Sequence, residues 1–484
     1  MKNQRFILNQ RYVLKNDIDR IIIKDVPEED VNSYYIHPIH AMLLTFFTGE
    51  KILRETINEI SNHFSIEENI AYNLIKPFLN NKEKVGIQYD GAKFIFPKHL
   101  IANADENEIR NDLSIEKINI SEPFDFKRQR LSKPDSILFV ANTNCYTDCI
   151  YCYASKQKCN DLIRTEKLLR VVDNAKSIGV SNFDISGGEF FLLKDWKVIL
   201  EKVLNCGFKP ILSTKIPISY DTIDTLTQLG LDSLQFSLDT LDQDIAVKML
   251  GVKKNYVGKL KESIRKVDSA GIDVILKPTL TKYNANIENV KSILEFASDL
   301  KNVKRVLFAT TAYSLYKTID NHLAIKSTSE QIKKVKEYLK LKQEKYKFPI
   351  NDSVVEFKKS VLCNYKAFSD RSLCIGNVSG IVVLPDGKVG ICEELYWNED
   401  FIIGDLNRSS LMEIWTSTKA LDLWNLKHLT DKSACKHCFD LEGCRKGLGV
   451  CFKFVVSAYG MENPLYPDPR CPKAPELIYD FTDS

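Results

Sequence analysis

The stretch Cys145-Tyr146-Thr147-Asp148-Cys149-Ile150-Tyr151-Cys152 places three cysteines within eight positions, with the spacing C-x3-C-x2-C. It directly follows the strand-like run 136–141. A loop at that place lies at the carboxyl edge of a parallel sheet, where α/β proteins carry their active sites. Three thiolates leave one iron of a four-iron cluster without a protein ligand, so that iron can take a substrate or cofactor. A structural zinc site completed by Cys159 is the alternative that these residues leave open.

Around this loop, from residue 135 to about 315, strand-like and helical runs alternate. Strand–helix units in series predict an α/β fold with a parallel sheet, either barrel-like or open. Strands are predicted at 136–141, 182–186, 210–214, 233–238, 273–277 and 305–309, and helices at 166–178, 196–203 and 257–270.

Motifs downstream of the cysteines make this region resemble the radical S-adenosylmethionine (radical SAM) superfamily. Tyr151 stands at the aromatic place of C-x3-C-x-aromatic-C, and Gly187-Gly188-Glu189 ends the second predicted strand. In that superfamily the Gly-Gly-Glu motif contacts the methionine amino group; glycine permits close backbone approach and a carboxylate suits an ammonium. The resemblance implies a partial (β/α)6 barrel in which Cys145, Cys149 and Cys152 hold a [4Fe–4S] cluster. It assigns no catalytic side chain beyond the cluster. The implied residues for binding S-adenosylmethionine are Tyr151, Gly187, Gly188, Glu189, Ser213, Ser237 and Asp239.

Eight of the 13 cysteines lie between Cys363 and Cys471. Their spacing resembles the SPASM domain, which adds auxiliary iron–sulfur clusters to radical enzymes. The gap between Cys444 and Cys451 holds six residues, where that domain usually has three. The resemblance implies two auxiliary clusters, and hence three [4Fe–4S] clusters in all, while a zinc ribbon is the alternative for the C-x2-C pair. One cluster would be held by Cys435, Cys438, Cys444 and Cys471, and the other by Cys374, Cys392 and Cys451 with Cys363 as the candidate fourth ligand.

Residues 1–105 read as strands around three helices, a winged-helix-like α+β pattern. Hairpins are predicted at 11–24 and 85–97, and helices near 38–48, 52–64 and 67–80. The second and third helices carry only Arg54 and Lys76 as fixed positive charges, whereas a DNA-reading helix needs several. In element order the module resembles the peptide-recognition element of maturases of ribosomally made peptides, which implies that a leader peptide binds as an extra strand.

These patterns predict five segments along the chain. They are 1–105, the leader-recognition module; 106–133, a linker; 134–325, the radical SAM partial barrel; 326–362, a helical bridge; and 363–484, the cysteine-rich SPASM domain.

The bulk properties fit a cytoplasmic enzyme. The formal net charge is only +3 over 484 residues, which gives no reason to expect a nucleic-acid or membrane partner. The amino terminus has no apolar signal region, and no long uncharged apolar run is present. We therefore expect a peptide maturase that cleaves S-adenosylmethionine and installs a thioether, or else a carbon–carbon cross-link, with flavodoxin or ferredoxin as electron donor. The alternatives are a peptide epimerase, a sulfatase-type protein-maturing enzyme, and a non-enzymatic DNA-binding metal or redox sensor.

Overall fold

A computed structural model of the chain describes residues 3–18, 20–25, 34–89, 92–105, 107–120, 130–353, 359–396 and 398–480. The chain divides into two compact units, Met1–Ser132 and Lys133–Ser484. None of the helices in these ranges combines the length and the apolar character that crossing a membrane requires.

The first unit contains both predicted hairpins and all three predicted helices. Its strands form two three-stranded antiparallel sheets, in the orders β5-β1-β8 and β2-β3-β4, and the hairpin β6-β7. The turn residues Asp90 and Gly91 of the second hairpin lie outside the described residues. The elements are β1 (Arg5–Leu8), β2 (Tyr12–Asn16), β3 (Ile21–Asp25), β4 (Tyr34–Ile36), α1 (Pro38–Thr45), β5 (Thr48–Ile52), α2 (Leu53–Phe64), α3 (Glu68–Ile75), β6 (Val85–Tyr89), β7 (Ala92–Phe96) and β8 (Ile101–Asn103).

Helix α2 shows why this unit folds as it does. Its buried residues Leu53, Thr56, Ile57 and Ile60 recur at helical spacing, so they form one apolar face that packs into the core. The chain leaves the helix at Ser65, which adopts a left-handed conformation and returns its N–H to a carbonyl of the last turn.

Part of the predicted linker belongs to this first unit. The guanidinium of Arg110 donates hydrogen bonds to the carbonyls of Leu8, Asn9 and Tyr12, at 3.3, 3.2 and 2.7 Å. Arg110 is buried. Because one side chain satisfies three backbone acceptors, it holds residues 107–120 against the strands.

The second unit contains the predicted strands and helices of the α/β region. Its strands are β9 (Ser136–Val140), β10 (Asn182–Ser186), β11 (Ser213–Thr214), β12 (Ser233–Phe236), β13 (Asp273–Leu276), β14 (Thr279–Leu280), β15 (Val303–Thr310), β16 (Ile350–Ser353), β17 (Gly380–Val383), β18 (Lys388–Gly390) and β19 (Ile402–Asp405). Its helices are α4 (Thr165–Ile178), α5 (Trp196–Asn205), α6 (Tyr220–Gln228), α7 (Gln243–Leu250), α8 (Tyr256–Ser269), α9 (Ile287–Ser298), α10 (Ile319–Leu323), α11 (Ser329–Lys342), α12 (Tyr365–Ser369), α13 (Leu411–Trp415), α14 (Thr418–Trp424) and α15 (Phe452–Tyr459).

The predicted partial barrel is confirmed. Strand β9 pairs in parallel with β10, β11 with β12, β12 with β13, and β13 with β15. A parallel bridge between Ile185 and Leu212 joins β10 to the segment that enters β11. Fully buried aromatic rings cover one face of this sheet, and half-buried polar residues alternate with them on the other. The rings are Phe139, Phe183, Phe236 and Phe308.

Two strands outside the predicted barrel extend it at its ends. Strand β16 lies in the predicted helical bridge and pairs in parallel with β15. Strand β17 lies in the predicted cysteine-rich domain and pairs in parallel with β9, after which β18 and β19 continue the same sheet in antiparallel order. The cysteine-rich region therefore shares a hydrogen-bonded sheet with the first barrel strand.

Candidate active site and cysteine groups

The loop that carries Cys145, Cys149 and Cys152 follows β9 and is held by backbone bonds. The amides of Asp148 and Ile150 donate to carbonyls at the end of α7, at 2.8 and 2.9 Å. Cys149 is buried, Cys152 is half-buried and Cys145 is exposed. Although Cys145 is exposed as a residue, desolvation of its sulfur by the surrounding protein atoms, together with the charges of Cys149 and Cys152, raises the pKa of the thiol to about 12.

Beyond the cysteines, the same loop is fixed by the segment that follows β15. The ammonium of Lys317 donates to the carbonyl oxygen of Ile150 at 2.6 Å, and the hydroxyl of Ser314 donates to that of Tyr153 at 2.9 Å. The loop is thus held by elements that lie far from it in the sequence.

The Gly-Gly-Glu motif contacts the start of this loop directly. The amide of Gly188 donates to the carbonyl of Asn142, and the amide of Glu189 donates to that of Asn144, both at 2.7 Å. A Cβ atom on Gly188 would lie 2.0 Å from the Asn144 oxygen, and Gly187 has a φ of +115°. Both positions therefore require glycine: one for lack of space and the other for its backbone conformation.

The carboxylate of Glu189 is buried and turned towards β11. It accepts hydrogen bonds from the hydroxyl of Thr214 at 3.0 Å, from the amide of Lys215 at 3.2 Å and from the amide of Phe191 at 3.4 Å. Burial raises its pKa, and these hydrogen bonds oppose that rise. The residue thus ties the motif to the next strand of the barrel.

Tyr151 of the cysteine loop forms a polar cluster with Lys215 and Asp239. Lys215 donates to the hydroxyl of Tyr151 at 2.6 Å and forms an ion pair with Asp239 at 3.0 Å, while Tyr151 also donates to Asp239. The other carboxylate oxygen of Asp239 accepts a hydrogen bond from the amide of Thr279 at 2.8 Å. Burial alone would lower the pKa of Lys215, but the charges of Asp239 and Cys149 raise it overall. The sequence analysis found Tyr151 and Asp239 but missed Lys215, whose only signal is its place just after the third strand.

Ser213 and Ser237 lie at the same carboxyl edge of the sheet. Both are half-buried, and Ser237 follows β12 at a position that alternates with buried Leu234 and Phe236. The structure therefore brings all the predicted S-adenosylmethionine-binding residues to one edge of the barrel.

Glu393 is a further site residue that the sequence analysis missed. It follows Cys392, and its carboxylate accepts hydrogen bonds from the hydroxyls of Tyr153 at 3.0 Å and Ser186 at 3.2 Å. Tyr153 is adjacent to Cys152. Burial raises the pKa of Glu393, which the two hydrogen bonds only partly oppose. This carboxylate links the cysteine-rich region to the loop at the barrel edge.

Seven of the other ten cysteines form two groups. The inner group is defined as Cys374, Cys392 and Cys451. Burial raises the pKa of Cys392 to about 12 and that of Cys374 to about 11, and the charge of Cys451 adds to both shifts. The outer group lines one cavity of about 690 Å³. It consists of Cys435, Cys438, Cys444 and Cys471.

Cys363 lies on the side of Cys471. Its amide donates to the carbonyl of Pro469, and its thiol lies 3.8 Å from the carbonyl of Ala474. The charges of Cys363 and Cys471 both raise the pKa of the Tyr459 hydroxyl. The assignment of Cys363 as the fourth ligand of the inner group stays a prediction.

The donors present fit iron–sulfur clusters. Each group consists of thiols, the ligands that such clusters take. Among the described residues, no set of three or more His, Cys, Asp or Glu side chains lies close enough to hold a single metal ion, and a cluster of several irons needs wider spacing. Cys159 and Cys206 stand apart from the groups: their thiols contact the carbonyl of Asp161 at 3.8 Å and the carboxylate of Asp173 at 3.7 Å.

Comparison with known families agrees with this geometry. Residues 140–297 match the radical SAM superfamily, and residues 363–439 match the SPASM iron–sulfur cluster-binding domain. This chain carries a radical SAM domain and a SPASM domain. It is therefore an enzyme, and its radical SAM domain uses S-adenosylmethionine and a four-iron cluster.

Two of the relatives are similar to this chain over more than half of its length. The PqqA peptide cyclase of Granulibacter bethesdensis is 23% identical over 324 residues, which cover 65% of this chain and 83% of that protein. A probable GTP 3',8-cyclase of Methanothermobacter thermautotrophicus is 23% identical over 258 residues, which cover 51% of this chain and 80% of that protein.

The fold is similar to that of SuiB from Streptococcus suis. The crystal structure of SuiB matches with a TM-score of 0.62 and 14% identity, over 96% of this chain and 99% of SuiB. SuiB bound to its precursor peptide SuiA matches with a TM-score of 0.61 and 14% identity, over 96% of this chain and 98% of that chain. At this identity the match shows a similarity of fold alone.

Proposed function

We propose that this enzyme is a radical SAM maturase of a ribosomally made precursor peptide, with Cys145, Cys149 and Cys152 holding the cluster that cleaves S-adenosylmethionine. The observation that carries the proposal is the contact between Gly187-Gly188-Glu189 and the cysteine loop. The motif that would contact the methionine moiety packs against Asn142 and Asn144, just before Cys145 in the sequence, which supports the proposal. The names of two similar proteins, a peptide cyclase and a protein crystallised with its precursor peptide, support a peptide substrate.

The chain's own residues would bind and orient the cofactor. Gly187 and Gly188 let the segment Ala141–Asn144 pack against the motif, so their backbone would be held in place for the cofactor, and Ser213 and Ser237 offer hydroxyls at the barrel edge. Bound S-adenosylmethionine and a reduced cluster would supply the 5′-deoxyadenosyl radical that takes a hydrogen atom from substrate carbon. The ion pair of Lys215 with Asp239 fixes Tyr151, and with it the loop between Cys149 and Cys152.

A thioether cross-link, or else a carbon–carbon link, is the product that we favour. Joining cysteine sulfur to carbon removes one hydrogen atom from carbon, one proton from sulfur and one electron. The hydrogen atom leaves as 5′-deoxyadenosine and the proton goes to solvent, so the electron needs an acceptor. The inner and outer cysteine groups would hold two auxiliary clusters suited to that role, because thiolate-bound clusters exchange single electrons.

The first unit would bind the leader of the precursor. Its two small sheets offer edge strands to which an extended peptide can add. The proposal includes a flavodoxin or ferredoxin as electron donor for the first cluster and no nucleic-acid partner.

The test is coexpression of the enzyme with short peptides encoded beside it, followed by mass spectrometry. Each cross-link should lower the peptide mass by two hydrogens, about 2 Da by bond counting, and a thioether should protect its cysteine from alkylation. An unchanged mass with inverted stereochemistry would instead indicate an epimerase. A chain beginning at Lys133, the start of the second unit, should still cleave S-adenosylmethionine while losing activity on the full precursor.

A further inference from the structure

Two buried arginines contact the thiols of the outer group. Arg371 donates from Nη2 to the carbonyl of Cys444 at 3.0 Å and lies 3.4 Å from its Sγ, and its guanidinium stacks 3.9 Å from the ring of Phe368. Arg445 donates from Nη2 towards the Sγ of Cys435 at 3.5 Å. Each arginine is 7% exposed. Two buried positive charges are therefore held against two cysteine sulfurs.

Arg445 is left with donors that the described protein atoms do not satisfy. Its Nε and Nη1 are buried and have no hydrogen-bond partner among the described residues. Buried donors of a charged group are costly to leave unpaired. The side chain lines both the cavity of the outer group and a neighbouring one of about 420 Å³ that contains Cys374. Arg445 thus lies beside both predicted cluster sites with two donors to spare.

Arg445 lies in the unusually long gap between Cys444 and Cys451. Residues Glu442–Leu448 form a π-helical turn, which takes up extra residues within a short rise. Arg445 is the first residue of the gap and lies in that turn. The segment that departs from the usual cysteine spacing is therefore the one that carries Arg445.

We propose that Arg445 and Arg371 are positioning residues that raise the reduction potential of the outer auxiliary cluster, an inference that rests on the proposed function. Reduction adds a negative charge to a cluster, so buried cations and N–H donors at its sulfurs stabilise the reduced form. Among the described residues, no guanidinium donates a hydrogen bond to an inner cysteine, although the charges of Lys453 and Arg470 act on Cys451. The outer cluster thus gains hydrogen bonds to its sulfurs that the inner cluster lacks, which favours movement of an electron released at the substrate to the outer cluster.

The experiment is an EPR-monitored redox titration of the reconstituted full-length enzyme and of R445Q and R371Q. A C374A/C392A variant identifies the transition of the inner cluster. Each arginine variant should change the oxidised-to-reduced ratio of the outer cluster at least tenfold at a fixed potential, about 59 mV towards lower potential for one electron. K427Q supplies the control, because Lys427 is an exposed cation of the same domain whose ammonium pairs with Asp422 and not with a cysteine.

A smaller effect is expected at Lys473. Its ammonium lies 3.4 Å from the Sγ of Cys438 but is exposed, so solvent screens its charge. K473Q should therefore shift the outer cluster less than either arginine variant. The proposal would be overturned if, in both arginine variants, the oxidised-to-reduced ratio of the outer cluster at a fixed potential changed less than twofold.

A second measurement does not depend on whether the variants keep their iron. Wild-type enzyme labelled with 15N-arginine should show nitrogen coupling to the reduced outer cluster in pulsed EPR, and its absence would also overturn the proposal. A protein without iron–sulfur signals would refute the proposed function itself, whereas bound clusters with unshifted potentials would refute only the role of the arginines.

Discussion

The cysteine loop after β9 and the cysteines of the carboxy-terminal region hold their thiols in different ways. The loop contains its three cysteines within eight residues and is fixed by backbone bonds to α7 and to the Gly-Gly-Glu segment. The carboxy-terminal cysteines are spread from Cys363 to Cys471, and buried guanidinium groups contact the outer ones. Cysteines that are close in sequence can thus be held by hydrogen bonds of their own backbone. Cysteines that are far apart in sequence depend on side chains such as these arginines, which the cysteine spacing does not predict.

The largest expected effect separates the two regions by function. Replacing Cys145, Cys149 and Cys152 by alanine should remove about four of about 12 irons and abolish cleavage of S-adenosylmethionine. Replacing Cys435 and Cys438 should spare that cleavage but abolish peptide modification. Iron analysis and chromatography of 5′-deoxyadenosine measure both results. C206A is the matched control, because this thiol lies outside all the groups. Stoichiometric zinc with little iron would contradict the prediction.

The next effect tests the backbone support of the loop. G188A would place a Cβ atom 2.0 Å from the Asn144 oxygen and 2.5 Å from the Asn142 side chain, so the loop must move. Since displacement of reacting groups by about 1 Å can cost about 100-fold in rate, we expect a loss of that order in S-adenosylmethionine cleavage. In α8, Gly258 has no atom within 4 Å of its Cβ position, so G258A should retain wild-type cleavage. Equal rates in the two variants would argue against close packing at Gly188.

A smaller effect is expected below the loop. D239N leaves the ammonium of Lys215 buried without its anionic partner, which typically destabilises a protein by about 3 kcal/mol. Denaturant unfolding of the second unit should show the loss. K334Q, which breaks an exposed pair with Glu330 on α11, should leave the unfolding midpoint unchanged. A midpoint of D239N equal to that of wild type would show that the buried ion pair does not stabilise the site.

The smallest effect concerns the link between the two regions. Y153F removes one hydrogen bond to Glu393, worth about 1 kcal/mol, while Ser186 still donates to the same carboxylate. We expect a decrease of at most about fivefold in peptide modification, with uncoupled S-adenosylmethionine cleavage unchanged. The double variant Y153F/S186A should lose more than the sum of the single changes, since it leaves the buried carboxylate without either hydroxyl. Strict additivity would show that the two hydroxyls act independently.

The sequence analysis succeeded where residues close in sequence act together. Alternating runs predicted all six barrel strands, and the cysteine and Gly-Gly-Glu motifs predicted which loops meet at the barrel edge. Nine strands of the described residues were not predicted: β1, β4, β5, β8, β14 and β16 to β19. Two of them, β5 (Thr48–Ile52) and β16 (Ile350–Ser353), are short and largely polar runs. The sequence analysis also missed Lys215 and Glu393, because burial and partners from distant strands, rather than a local pattern, set their roles.

Strand β17 also bears on how such enzymes can be recombined. It pairs with β9 from Gly380 opposite Ser136 to Val383 opposite Phe139, so β9 has a neighbour on each side. A crossover point just before Cys363 would strip β9 of that neighbour and expose a run of unpaired backbone groups, a known route to aggregation. An exchanged carboxy-terminal region must therefore bring a strand in the same register. Through β17, the cysteine-rich region is part of the barrel sheet and cannot be exchanged as an independent domain.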